Sequence, residues 1–339
     1  MQKRTKSLKI GKIEVGKGHP VFVVAEAGIN HNGDMETAKK MIESAVECGA
    51  NGIKFQTLLP EELFSENLNP EWFEMIKKWS FNKKQHLELF NHAKKNKIEF
   101  FSTPVGIKTA KLLKDIKINC IKIASGEMTN YQLVETVAKM HLPMIVSTGM
   151  STLSEISKTV EVIRREGCEF ALLHCNASYP SPVEDSNLQT IPYLEQMFGV
   201  PVGYSDHTVG SDVCVGAVSL GACIVEKHFT LDKEMDGPDH KLSADPQELT
   251  ELVNKIRTIE KALGSIRKGP TKSEEKFKKL MRKSIAVSTN ISAGTKIKKS
   301  MLALIRPGTG IPPIYINDLV GITLKKDVKK GSLLSWDMF

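Results

Sequence analysis

The stretch VFVVAEAGINHNGDMETAKKMIESAVECGANGIKFQ, residues 21–56, carries the reading that decides the fold. It opens on one apolar run, VFVVAE (21–26), and closes on another, GIKFQ (52–56). Between them Met35, Ala38, Met41, Ile42, Ala45 and Val46 fall at i, i+3, i+6, i+7, i+10 and i+11, which is one face of a helix, and Gly49 supplies its stop. The two flanking runs are continuous in their apolar character, as strands covered on both faces are.

The same alternation continues through the first two-thirds of the chain. Six further runs follow: IEFFSTP (98–104), CIKIASGE (120–127), PMIVSTG (143–149), FALLHC (170–175), VPVGYSDH (200–207) and ACIVEKHF (222–229). Helical patterns such as TLSEISKTVEVIRREG and PQELTELVNKIRTIEKALG lie between them. Eight strands alternating with helices over about 260 residues predict an α/β fold, a (βα)₈ TIM barrel. A doubly wound open sheet is the structural alternative. The polar residues favour the barrel, because nearly every run ends in a chemically able group: Glu26, Lys54 and Gln56, Thr103, Lys122 and Ser125, Ser147, Ser205 and His207, Glu226 and His228. In a barrel the strand C-termini converge on one face, and that face holds the site. The connection 57–97 is long, carries Trp72 and Trp79, and reads as an extra helix or a lid loop.

The pattern changes after Gly269-Pro270. The reading assigns 1–268 to the barrel, 269–283 to a linker and 284–339 to a small β-rich domain. That last segment has short apolar pieces and turn signals, and it echoes itself at an offset of 37 residues: Ile285 with Ile322, Val287 with Leu324, Ile291 with Val328, Gly294 with Gly331, Ile297 with Leu334 and Met301 with Met338. NISAGTKIKKSML and DVKKGSLLSWDMF are read as equivalent halves of a pseudo-symmetric fold. Between them the loop IRPGTGIPP carries Arg306.

The totals narrow the function classes. The chain of 339 residues is 41% hydrophobic and 25% charged, an ordinary composition for a protein with a full core. No apolar run is long enough to span a bilayer, and MQKRTKSLKIGKIEVGKG at the N-terminus lacks the apolar stretch of a signal peptide, so a cytoplasmic location with no membrane partner is expected. The six cysteines form no C-x-x-C pair and read as reduced core thiols. The net charge of +8 is concentrated between Lys261 and Lys283, where nine of 23 residues are Lys or Arg. Without aromatic interleaving this reads as a solvated helix or linker and not as a nucleic-acid surface. A modest positive field suits an anionic, phosphorylated substrate.

His207 and His228 end consecutive strands, so both can face one mouth, and neutral imidazole is a common ligand for divalent metals. Asp206 and Glu226 stand beside them as supporting or acid/base groups. Lys54 and Lys122 lie inside apolar strands, where a lysine cannot stay charged and unpaired. They are read as a pair of clamps for phosphate and carboxylate; a Schiff-base lysine or a pairing with a neighbouring glutamate are the alternatives. Ser125-Gly126, Thr103-Pro104, Ser147-Thr148-Gly149 and Ser205 offer hydroxyls and turn N–H groups able to ring a phosphate. Glu26 is a general base, a stabiliser of cationic character or a lysine partner. His31 and Asn32 in the same loop are weaker candidates.

Taken together, AEAGINHNG (25–33), IKFQT (53–57), FSTP (101–104), IKIASGE (121–127), IVSTGM (145–150), LLHCNASYPSP (172–182), GYSDHT (203–208), EKHFTLDK (226–233), GPDHK (237–241) and IRPGTG (305–310) resemble the sialic acid synthase family along nearly the whole chain. The C-terminal segment looks like the antifreeze-protein-like (SAF) domain of that family. The resemblance implies condensation of phosphoenolpyruvate with N-acetylmannosamine, or a related N-acetylated amino sugar, with C–O cleavage and release of phosphate. It implies a divalent metal on His207 and His228, Mn²⁺ first, with Mg²⁺ or Co²⁺ as alternatives. It places phosphoenolpyruvate at Lys54, Thr103, Lys122, Ser125, Ser147, Tyr179 and Ser205, and the acceptor sugar at Gln56, Glu127, Tyr179, Asp239 and Arg306. Glu26, Lys54, Lys122 and Glu226 form the catalytic set. It also implies a homodimer in which the C-terminal domain of one subunit caps the barrel of its partner, bringing Arg306 across the interface.

Two positions depart from relatives. Asn176 stands one residue before the place where some carry a phosphate-binding asparagine, and it is left outside the site. Phe55 replaces a histidine of other relatives and leaves the acceptor open between N-acetylmannosamine, the 2,4-diacetamido-trideoxy sugars of legionaminate or pseudaminate synthases, and a spore-coat sugar. A Schiff-base aldolase built on Lys122 and a sugar- or ice-binding protein are the competing classes.

Overall fold

In chain order the described residues, 7–339 of the computed structural model, begin with a hairpin of β1 (Ser7–Ile10) and β2 (Ile13–Gly16). Then come β3 (Phe22–Gly28), α1 (Met35–Glu47), β4 (Gly52–Thr57), α2 (Pro60–Leu63), α3 (Pro70–Trp79), α4 (Lys83–Lys95), β5 (Glu99–Pro104) and α5 (Ile107–Asp115). They are followed by β6 (Ile121–Ile123), α6 (Tyr131–Ala138), β7 (Met144–Ser147), α7 (Leu153–Arg165), β8 (Phe170–Cys175) and α8 (Thr190–Phe198). The first unit closes with β9 (Val202–Asp206), α9 (Asp212–Ser219), β10 (Ile224–His228) and α10 (Pro246–Leu263). Strands β3 to β10 are all parallel, and β10 pairs with both β9 and β3. The sheet is therefore a closed (βα)₈ barrel and not an open sheet, and each of the eight apolar runs supplies one strand.

The helices are cut by local chemistry. Asp34 caps α1 by accepting from Thr37 N, and Ala38, Met41, Ile42 and Ala45 are its buried face. Capping boxes open α4 (Asn82 with Gln85), α7 (Thr152 with Glu155) and α10 (Asp245 with Glu248). These helices pack on the outward residues of the strands to form the main core, in which Val23, Ile53, Phe100, Ile121, Val146, Leu172, Tyr204 and Val225 are buried. The connection 57–97 holds two helices beyond the regular one, α2 and α3, packed as a separate apolar cluster of Ile29, Leu58, Ile76, Trp79 and Val105.

The inward residues alternate with the outward ones, and they are laid in layers. Phe22, Val24, Phe101, Cys120, Ile145, Ala171, Leu173, Cys223 and Ile224 fill the lower interior. Gly203 belongs to this level: a Cβ there would lie 2.5 Å from the Ile224 carbonyl oxygen and 2.7 Å from Leu173 Cδ2. Two residues further along each strand the interior turns polar. The hairpin β1–β2 seals the other end, because Leu8, Ile10 and Val15 pack into the same lower cluster. The sequence reading passed over this hairpin: KSLKIGKIEVGKG is lysine-rich and short, and its apolar residues are few enough to be hidden by the charge around them.

The chain divides into two units, Met1–Gly264 and Ser265–Phe339. The second contains α11 (Lys272–Met281), which buries no residue, and β11 (Ser284–Val287) paired antiparallel with β12 (Leu302–Ile305). The basic stretch thus includes a solvated helix. The 37-residue echo is a true pseudo-two-fold. Ile291 and Val328, which are equivalent positions, donate to each other's carbonyls at 2.9 and 2.8 Å. Gly294 N bonds Leu324 O while the equivalent Gly331 N bonds Val287 O, both at 2.8 Å. Ile297 N bonds Ile322 O at 2.9 Å, and Leu334 N bonds Ile285 O at 2.8 Å. Ile285, Val287, Ile291, Ile297, Leu324, Val328 and Leu334 of the echo are buried in the core of the unit, and Met301 and Met338 pack against it, whereas Ile322 is exposed.

Leu8 is 1% exposed and has no role at the other end of the barrel. Leu8→Ala should lower stability by about 2–5 kcal/mol through the cavity it leaves under the barrel floor. Denaturant unfolding measures this, and a change below about 0.5 kcal/mol, the range of ordinary surface substitutions, would show that the hairpin does not plug the barrel.

Candidate active site

The polar layer above the floor is a ring of four buried charges. Glu26, Lys54, Lys122 and Glu226 are each less than 5% exposed. Register puts Glu26 beside Lys54 on neighbouring strands, and their carboxylate and ammonium are 3.2 Å apart. Lys54 also stands 3.4 Å from Glu226 and 3.3 Å from Thr103 Oγ1. Lys122 donates to both oxygens of Glu226, at 2.8 and 3.1 Å, from across the barrel. Ser205 Oγ donates to Glu226 Oε1 at 2.8 Å. Each residue lies on the inward side of its strand, which is why residues scattered from 26 to 226 meet within hydrogen-bonding distance.

The charges of this ring are unequal. Burial pushes the Glu26 carboxyl up to about 7, against the pull of Lys54 and with help from Glu226. Burial also acts on Glu226, but Lys122 and Lys54 outweigh it and hold that carboxyl far below its ordinary value. Burial works against the charge on Lys54, yet Glu226 and Glu26 lift its ammonium above the usual lysine value. Burial draws Lys122 down while Glu226 opposes it. One firm carboxylate and one carboxyl near neutrality face two lysines, so the floor of the site favours an anion. Ser147 Oγ, which lines the same space, is buried without a hydrogen-bond partner in the protein.

A cavity of about 450 Å³ stands over the ring. Its lining includes Glu26, Lys54, Gln56, Thr103, Lys122, Ser125, Glu127, Ser147, Tyr179, Ser205, His207, Glu226, His228 and Asp239, every residue that the family resemblance places in the site except Arg306. Ser125 Oγ accepts from Gly149 N at 3.0 Å, and a Cβ on Gly149 would lie 2.8 Å from that oxygen, so a side chain there would displace the Ser125 hydroxyl. Gln56 Nε2 reaches Glu26 Oε1 at 3.4 Å, and Glu127 accepts from Asn130 at 2.8 Å. Arg306 belongs to the second unit, where its Nε donates to the Met281 carbonyl at 2.9 Å.

The two imidazoles face each other with ring centroids 5.2 Å apart, and the Tyr179 ring lies 4.1 Å from His207. His207 Nδ1 is bound to the Asn176 carbonyl at 2.5 Å, which leaves Nε2 as a free lone pair. His228 Nδ1 is buried without a hydrogen bond; the Asp239 carboxylate is 3.8 Å away, too far for one. Burial holds both rings below the ordinary histidine value, with His207 adding to the effect on His228. Two neutral imidazoles with free nitrogens suit a borderline divalent cation. Among the described residues no group of three His, Cys, Asp or Glu has metal-holding geometry, so these two imidazoles are the residues that would hold such an ion.

Several readings are corrected. Asp206 does not face the mouth: it lies on the outward side of β9, where Lys227 donates to it at 2.7 Å and Thr208 and Cys214 also bond it. His31 is a core residue, 1% exposed and stacked on Phe81 at 4.2 Å, and burial pulls its ring down to about 3. Asn32 is a loop tie, donating to Asp236 O at 2.8 Å. Phe55 points into the helix layer against Phe100 and cannot touch an acceptor in the mouth. Asn176 enters the site after all, through its backbone carbonyl on His207. Residues the sequence reading left out also line the cavity: Cys175, which ends β8 on the inward side, and the apolar Leu58, Leu63, Ile76, Val105 and Met150.

Comparison with known proteins agrees with this architecture. The NeuB family pattern matches residues 41–268 and the SAF domain pattern residues 282–339. The chain is 39% identical to the N,N'-diacetyllegionaminic acid synthase of Campylobacter jejuni over 92% of this chain and 98% of that one. It is 34% identical to the N-acetylneuraminate-9-phosphate synthase of Homo sapiens over 92% of each chain. The crystal structure of N-acetylneuraminic acid synthetase from Leptospira borgpetersenii in complex with citrate superposes with a TM-score of 0.77 at 39% identity, covering 80% of this chain and 94% of that one.

The raised Glu26 carboxyl makes stability depend on pH. Unfolded, this group titrates near 4.5; folded, near 7. The folded state therefore holds the proton across that window, so the contribution is present below pH 4.5 and is lost as the pH rises through 7. Glu26→Gln, which cannot ionise, should gain in Tm relative to the parent protein between pH 5 and pH 8. Thermal unfolding at the two pH values checks this, and an equal Tm difference at both would contradict it.

Proposed function

The chain belongs to the NeuB family, and we propose that it condenses phosphoenolpyruvate with an N-acetylated amino-sugar aldehyde and water to give a nine-carbon sugar acid and phosphate. The observation that carries the reading is the buried ring of Lys54, Lys122, Glu26 and Glu226 at the floor of a barrel mouth. Two lysines that already offset the burial of two carboxylates can exchange them for the carboxylate and phosphate of the donor. Thr103, Ser125, Ser147 and Ser205 add hydroxyls around the same space.

The chemistry follows from these placements. Lys54 and Lys122 fix the donor so that carbon 3 of the enol faces the aldehyde carbon above, an effect of orientation. The new bond forms from the enol π electrons, and of the two protons of the water consumed one ends on the aldehyde oxygen while the other leaves with phosphate as the carbon 2 hydroxyl becomes the ketone. Carbon 2 is left with positive character, which Glu226, firmly ionised, stabilises at close range. Glu26, with a carboxyl near neutrality, takes the proton of the water that adds to carbon 2. The tetrahedral carbon then expels phosphate by breaking its C–O bond. A divalent metal, Mn²⁺ before Mg²⁺ or Co²⁺, would be held by His207 and His228 and would supply Lewis-acid polarisation of the aldehyde oxygen.

Gln56, Glu127, Tyr179 and Asp239 surround the space left for the acceptor. N-acetylmannosamine, giving N-acetylneuraminate, is the acceptor read from the sequence; the 2,4-diacetamido-trideoxy sugars are the alternative, and the similar proteins include an N-acetylneuraminic acid synthetase and an N,N'-diacetyllegionaminic acid synthase. We read the active species as a cytoplasmic homodimer in which Arg306 of one subunit completes the acceptor site of the other. No helix among the described residues is long and apolar enough to cross a membrane.

Phosphate release from phosphoenolpyruvate with Mn²⁺ should depend on both the metal and an amino sugar. Release without a sugar, or none with either sugar class, would defeat the condensation. The dimer has its own check. Arg306→Ala and Lys122→Ala proteins, each inactive alone, should regain about a quarter of the parental turnover when unfolded together and refolded as mixed dimers. No recovery from mixed dimers would show that Arg306 acts on its own subunit or not at all.

A further inference from the structure

One side of the cavity differs from the rest. The imidazoles of His207 and His228, with Tyr179 and Asp239, occupy the side of β8–β10, and the lysine ring forms the floor. Opposite them, beyond the ends of β4 and β5, the lining is Leu58, Leu63, Ile76, Pro104 and Val105. β5 is four strands from β9 in either direction around the closed ring, so this wall faces His207 across the mouth. Ile29 and Trp79 back it in one packed cluster.

The wall also stands beside a helix N-terminus, a common place to bind phosphate. Here that place is taken. Val105 N and Gly106 N donate to Thr109 Oγ1 at 3.1 and 2.9 Å. Lys108 N, Thr109 N and Thr109 Oγ1 donate to the Glu62 carboxylate at 2.7, 3.0 and 3.0 Å. Glu62 and Leu63 are adjacent on α2, so one short helix both fills the anion slot and presents an apolar side chain to the cavity. The seat is built for the carboxylate: a Cβ on Gly106 would lie 2.3 Å from the Glu62 carboxyl carbon. Among the described residues lining the cavity the cations are Lys54 and Lys122, both engaged at the floor.

We infer that the acceptor carries no oxygen at its far end: the enzyme takes a 6-deoxy amino sugar whose terminal methyl rests on Leu58, Leu63, Ile76 and Val105, and it rejects 6-hydroxy and 6-phospho sugars. The inference rests on the condensation proposed above. A sugar whose aldehyde meets the imidazole side extends across the mouth to this wall. A hydroxyl there loses its water without gaining a partner, and a phosphate meets a carboxylate already seated on the N–H groups at the start of α5.

The test uses the full-length protein with Mn²⁺ and phosphoenolpyruvate. The acceptors are N-acetylmannosamine and 2,4-diacetamido-2,4-dideoxymannose, each with its 6-deoxy analogue, together with N-acetylmannosamine 6-phosphate. In the series that turns over, the 6-deoxy sugar should lead its 6-hydroxy partner in kcat/KM by about ten- to a hundredfold, the discrimination an apolar pocket achieves against a hydroxyl. Leu63→Gln should bring that ratio near one with the KM for phosphoenolpyruvate unchanged, and Leu63→Met should preserve it. Saturation-transfer NMR should show the 6-methyl protons among the most strongly saturated in the bound sugar, a readout independent of turnover. Glu62→Ala, which frees the N–H groups of α5, should raise kcat/KM for the 6-phosphate by about tenfold, one charged contact's worth. A 6-hydroxy or 6-phospho sugar turned over as well as the 6-deoxy one would overturn the inference and leave the condensation standing. No phosphate release with any of the five sugars would instead remove the condensation itself.

Discussion

Four charges share the interior of one barrel, and the rest of the molecule is arranged around the cost of holding them there. Taking a carboxylate or an ammonium out of water costs several kcal/mol even after relaxation, and mutual attraction offsets it only where the geometry is close. The distances among Glu26, Lys54, Lys122 and Glu226, 2.8 to 3.4 Å, meet that condition. A stable core would put apolar side chains at these positions, as the layer below does with Val24, Phe101, Cys120, Ile145, Leu173 and Ile224. The substitution of charge for packing one layer up makes sense as preparation for an anionic ligand. It also explains why the lower end is sealed so thoroughly: the hairpin keeps water from reaching the ring from beneath.

Much of this was legible because strands in a closed barrel end on one face. Eight apolar runs were visible, and so was the fact that nearly every one ends in a polar residue. Left unread was the side of the strand on which each polar residue falls. Inward and outward positions alternate, so Ser205 and His207 face the mouth while Asp206 between them faces the helices, and Glu226 and His228 face in while Lys227 faces out. Lys227 and Asp206 then form a buried ion pair behind the wall. Applied to IKFQT, the same alternation separates Lys54 and Gln56 from Phe55, which is why Phe55 belongs to packing and not to acceptor choice. His31 needed more than parity: its place depends on Phe81, fifty residues on, and no local pattern announces that stacking.

The small domain shows the opposite balance. Its sequence echo was faint, six matched positions among short apolar pieces, yet each match became a physical equivalence. The reason lies in backbone hydrogen bonding. Gly294 and Gly331 turn the chain with φ of 81° and 82°, a conformation glycine adopts without strain, and each turn delivers an N–H to a carbonyl of the other half, Gly294 to Leu324 and Gly331 to Val287. Ile291 and Val328 pair across the axis. A repeat that exchanges its hydrogen bonds reciprocally constrains both copies at once, so a few positions suffice to preserve it.

The mouth of the barrel acquires its chemistry by dividing labour among strand ends and the loops that follow them. Strand ends, rigid and close to the floor, carry the groups whose positions must be fixed to within a fraction of an ångström: the two lysines, the two glutamates and the two imidazoles. Loops carry what, in the function proposed, would discriminate among acceptors, namely Tyr179, Asp239 and the α2 segment with Glu62 and Leu63. Glu62 is instructive because it spends a carboxylate on the N-terminus of α5, where helix polarity favours negative charge, and so withholds that terminus from any ligand. Its position, three residues after Leu59 in the long second connection, would be read from sequence as one more exposed acid on a short helix. The structure gives it a definite partner at the start of α5, and with that partner the insertion becomes part of the apolar wall that the acceptor proposed above would meet.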